Sequence, residues 1–72
     1  MGDKALLLMK RDVIREYRRA YASKLTWGNE NDYWVGFAEA WRKLAGKVMN
    51  ETEINGIEAD VEMELYRGTF EL

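Results

Sequence analysis

The chain has no cysteine, no histidine and no proline. Without cysteine there is no disulfide, and losing histidine as well removes the commonest metal ligands. The same two absences exclude nucleophile systems of the Ser/His/Asp and Cys/His kinds. With no proline and no Gly/Ser-rich or low-complexity tract, nothing marks a linker between separate units. Long hydrophobic runs are missing too. The longest, Ala5-Leu6-Leu7-Leu8-Met9, is too short for a signal-peptide core or a membrane span. Lys4, Lys10 and Arg11 flank it as in an interfacial membrane helix, but the buried start of an amphipathic helix is the better reading. A cytoplasmic protein with no membrane contact is expected. No phosphate-cradling glycine motif occurs, so neither a nucleotide cofactor nor a small-molecule substrate is expected.

What is present is a short chain with many aromatics. Its 72 residues include three Trp, four Tyr and two Phe. One domain over residues 1–72 is all this length allows, and a domain of that size buries only about 60% of its unfolded surface. A core so small rarely supplies more than roughly 3–5 kcal/mol, and disulfides, metals or self-association usually help it. Self-association is the one of these left, so a homo-oligomer is expected.

The charges are sorted by position. Residues 1–27 carry seven Lys/Arg against three Asp/Glu, residues 28–48 balance at three each, and residues 49–72 carry one Arg against seven Asp/Glu. A near-neutral total of −2 therefore hides a basic end and an acidic end. Such ends can pair within a molecule, pair between molecules or meet different partners.

Periodicity predicts an all-α fold, a small three-helix bundle with helices at about 5–26, 31–49 and 53–67. Leu6/Leu7, Val13/Ile14, Tyr17 and Ala20/Tyr21 recur at helical spacing and leave Arg11, Arg15, Arg18 and Arg19 mostly outside the stripe. Trp27 to Asp32 then interrupts it. Gly28 suits a left-handed helix end, and Asn29, Asn31 or Asp32 can cap the next helix. Leu6, Val13, Ala20, Trp27, Trp34, Trp41 and Val48 fall seven apart, as one unbroken helix would have them. The residues beside that row change after the break, which favours a turn. Trp34, Phe37, Ala38, Trp41, Leu44, Ala45 and Val48 define the second helix, and its small residues at 36, 38, 40, 45 and 46 allow close helix approach. In the last third, Ile54, Ile57, Val61 and Leu65 share a helical face with Gly68 at its end. Asp60 to Leu65 alternates polar and apolar instead, so two helices plus a C-terminal β-hairpin is the alternative.

Three groups of residues are candidates for function. Tyr33, Trp34, Phe37 and Trp41 form an aromatic ladder: core by its spacing, and a partner-binding site wherever a side of it stays exposed. Arg11, Arg15 and Arg18, with Arg19 beside them, can track phosphates, while Tyr17 and Tyr21 can stack on bases. A pI of about 5.1 speaks against a dedicated nucleic-acid binder. Glu58, Glu62 and Glu64 can imitate a phosphate backbone, but cations from the first helix packed against them explain their survival better. Asn29-Glu30-Asn31-Asp32 lacks the glycine and terminal Glu of a calcium loop. The expected function is a non-enzymatic interaction or regulatory module, such as a small accessory protein, self-associating through its aromatic helix face. The alternatives are nucleic-acid binding and acidic mimicry.

Overall fold

The computed structural model describes residues 9–71 of the chain. These residues form three helices: α1 over Lys10–Trp27, α2 over Asp32–Ala45 and α3 over Glu51–Arg67. No strand occurs among them. The expected helical segment over 5–8 lies outside the described residues.

α1 is the helix that both others pack on. Its partners along α2 run backwards: Trp27 meets Trp34, and Val13 meets Trp41, so the two helices are antiparallel. Along α3 they run forwards, from Lys10 with Glu53 through Tyr17 with Glu58 to Arg18 with Glu64, so α1 and α3 are parallel. Direct packing between α2 and α3 is slight. This arrangement is consistent with a three-helix bundle.

Val13, Tyr17, Ala45, Met49 and Ile54 form the buried centre, with Ile14, Tyr21, Trp41 and Ile57 packed around it. Alanines let the helices approach: Ala38 and Ala45 of α2 are buried, whereas Gly36, Ala40 and Gly46 face solvent. Only part of the small-residue set therefore serves helix contact.

The turn between α1 and α2 separates them, so the seven-residue row is not one continuous helix. Gly28 ends α1 by a different route from the one expected. Its φ is −63°, in the right-handed region. Glycine is needed there for space, because a Cβ would sit 2.4 Å from the Lys24 carbonyl oxygen and 3.2 Å from Val35 Cγ2. Asn31 caps α2, its side chain accepting from the Tyr33 N–H at 2.9 Å. α2 stops at Ala45, short of the expected 49, in a turn where the Val48 and Met49 N–H groups both bond the Ala45 carbonyl.

α3 settles the ambiguous last third against the β-hairpin. Asp60 to Leu65 is helical despite its alternation. Ile54, Ile57, Val61 and Leu65 all turn inward, and the buried pair Ile54 and Val61 sits seven residues apart. The helix also opens with a reciprocal cap: Asn50 accepts from the Glu53 N–H while Glu53 accepts from the Asn50 N–H. Gly68 closes it at φ 75°, the left-handed conformation expected there.

Candidate functional site

α2 carries two apolar rows, about 100° apart round the helix. Trp34, Ala38, Trp41 and Ala45 step by four, three and four residues and face α1, where Ala38 and Ala45 are buried. Tyr33, Phe37, Ala40 and Leu44 repeat the same steps one residue earlier, which is the spacing of a packing seam. That second row is left partly open among the described residues. Tyr33 is 61% exposed and Leu44 37%, Ala40 is exposed and Phe37 half-buried.

The rings join into one cluster at the end of the α1–α2 hairpin. Trp34 lies 5.2 Å from Trp27 and meets both Tyr33, at 5.0 Å, and Phe37, at 6.0 Å, edge to face. Tyr33 stacks on Phe37 at 5.9 Å. Such pairs hold one another in place without burying the cluster. The ladder thus divides. Tyr33, Trp34 and Phe37 are brought together with Trp27, while Trp41, a turn further on, packs against the central core.

A groove of about 400 Å³ runs beside the cluster, walled by Glu16, Arg19, Ser23 and Trp27 of α1 and by Trp34 and Phe37 of α2. A second hollow of about 360 Å³ lies further along, lined by Asp12, Val13, Arg15, Glu16 and Trp41. Both hollows therefore set aromatic side chains beside charged ones of α1.

The basic row is largely occupied within the chain. Arg18 pairs with Glu64 at 2.7 Å and lies over the Phe70 ring. Arg15 reaches Asp12 and Glu16, each at 3.4 Å, and Arg11 comes within 3.9 Å of Asp12. Arg19 alone of the four has no ion pair among the described residues.

The glutamates of α3 are occupied in turn. Lys10 pairs with Glu53 at 2.6 Å, and Glu53 is held below the usual carboxylate range by that bond and by the Asn50 N–H. Tyr17 donates its hydroxyl to Glu58, and Tyr21 donates to Glu62 at 2.5 Å. Arg42 reaches across from α2 to Glu51 at 2.6 Å and Glu58 at 3.1 Å. Burial and the adjoining carboxylate push both tyrosine pKa values above the ordinary value. The two carboxylates hold the Arg42 guanidinium still more firmly charged. No group of three or more acidic side chains gathers as a metal would need among the described residues.

Trp27, which the sequence sets near the ladder, joins the cluster across the four-residue turn. Two features were missed in sequence. Leu44 belongs to the outer row rather than to the ladder's core side. Arg42 clamps α2 to α3, which no local pattern announces because its partners lie nine and 16 residues away. In comparisons with protein-family models, curated proteins and solved structures, the chain matches none. No helix among the described residues is long and apolar enough to cross a membrane.

Proposed function

We propose that this chain is a non-catalytic protein-interaction module, a three-helix bundle in one domain, that binds its partner on the outer face of α2. The binding residues are Tyr33, Phe37 and Leu44 of the outer row, with Trp34, Trp27 and the Trp41 hollow at its edge on the α1 side. A cytoplasmic setting and a protein partner, itself included, belong to the same reading.

The observation that carries it is the second apolar row. Aromatic and leucine side chains spaced as a packing seam are costly to leave in water, at about 25 cal/mol per Å². Aromatics of this kind also dominate interface energetics. The alternatives draw less support from the geometry. Arg18 spends its charge on Glu64, and Arg11 and Arg15 lie beside Asp12 and Glu16, which weakens the row Arg11, Arg15, Arg18 and Arg19 as a phosphate track. Glu58, Glu62 and Glu64 point at Tyr17, Arg42, Tyr21 and Arg18, which ill suits a solvent-facing imitation of phosphates.

The test is a triple substitution, Tyr33→Gln, Phe37→Gln and Leu44→Gln. It is expected to keep the helix content by circular dichroism and to lose binding, whether to a second copy or to a foreign chain identified by cross-linking. Unfolding of the variant would mean that the row serves the core. Unchanged binding would mean that the partner sits elsewhere.

A further inference from the structure

We infer that the occupant of this face is a second copy of the chain, laid antiparallel across it about a two-fold axis. This rests on the proposed role of the face and adds the partner and its orientation.

The two ends of the α2 face carry opposite charge. At the hairpin turn stand Glu30 and Asp32, and at the far end Lys43 and Lys47, all exposed. None of the four has an ion pair among the described residues, so their charges are open to a partner. Lys43 and Lys47 also border a shallow hollow shared with Gly36, Glu39, Ala40 and Leu44, so they rim the apolar row, with Glu39 as an acidic neighbour near its middle.

A two-fold axis makes each residue meet its counterpart's partner, so one patch must complement itself. Parallel copies would set Glu30 and Asp32 against their own likes and Lys43 and Lys47 likewise. Antiparallel copies bring each acidic end to the other's basic end. The small Ala40 then lies near the axis, where two helices approach most closely, with Phe37 and Leu44 on either side. Because the steps are four, three and four, side chains of each copy fit between those of the other. Flanked by the two α1 helices, the paired α2 helices make a four-helix layer.

Cysteine is absent from the chain, so single thiols report cleanly. E30C and K47C proteins, each at an exposed turn, are mixed and treated with a short bismaleimide. Sedimentation equilibrium is run on the wild type, on the triple glutamine variant, and on E30K, K47E and the E30K/K47E double. The expected results are a wild-type dimer, a monomeric triple variant and a cross-link between position 30 of one copy and 47 of the other. E30K and K47E each weaken the dimer roughly fivefold per contact, and the double restores it. Thirty-to-thirty cross-links alone, or a double weaker than either single, would overturn the antiparallel orientation. A monomeric wild type would overturn the second copy as occupant, while the role of the face is then decided by the foreign chain lost in the triple variant. A triple variant that remains dimeric would overturn both.

Discussion

Arg42 binds Glu51 and Glu58 from a neighbouring helix, and Glu58 also receives the Tyr17 hydroxyl. Removing the guanidinium leaves two carboxylates short of a donor where direct α2–α3 packing is slight. Arg42→Ala is expected to cost about 1–2 kcal/mol in urea unfolding, the lower part of the range for charged bonds because the side chain is 40% exposed. Tyr17→Phe is a smaller loss, about 1 kcal/mol, since Arg42 still satisfies Glu58. Both tyrosines are neutral in the folded state to higher pH than in the unfolded chain. Their stabilisation is therefore complete below the ordinary tyrosine value of about 10 and lost as pH rises above it. Urea midpoints are expected to fall above that pH, and less steeply in Tyr17→Phe/Tyr21→Phe; equal slopes would refute the assignment. At this scale the sequence was legible in part. Asn31 was one of three residues foreseen as the α2 cap, and the three-residue spacing of Asn50 and Glu53 signalled a cap that went unread. The tightness around Gly28 depends on Val35 across the turn, which no single-residue preference encodes.

Among the elements, α3 shows how a pattern can mislead. Alternation over Asp60 to Leu65 fits a strand, yet Val61 and Leu65 also fall on a helical stripe once Ile54 and Ile57 are included, and Met63 is left exposed. Length decided it: the stripe runs through about three turns, backed by a cap at one end and Gly68 at the other. Two substitutions probe that helix from opposite directions. Asn50→Ala removes the cap and is expected to lower stability by about 1 kcal/mol. Gly56→Ala adds a methyl in open space on the exposed face and is expected to raise it by about 0.5–1 kcal/mol. Thermal melts of the two variants should move to opposite sides of the wild type, and a destabilised Gly56→Ala would mean that its surface is covered. α2 was legible as a helix but not as a helix with two apolar rows. Both rows have the same spacing, so sequence alone could not say which of them faces α1.

For the molecule as a whole, the division of charge along the chain was plain in sequence, and pairing with cations of the first helix, within the chain or across a dimer, was the favoured explanation of the acidic segment. Lys10 with Glu53 and Arg18 with Glu64 realise that pairing. The parallel course of α1 and α3, which brings these partners level, depends on topology and was not readable from composition. Two ion pairs join the long helices, and the proposed interaction surface is the apolar outer row of α2. That is the central claim, and the most direct test is the molar mass of the wild type and of Tyr33→Gln/Phe37→Gln/Leu44→Gln by sedimentation equilibrium over a wide concentration range. The account predicts a concentration-dependent dimer for the wild type and a monomer of unchanged helix content for the variant. A variant that associates as the wild type does, or one that unfolds, would contradict it.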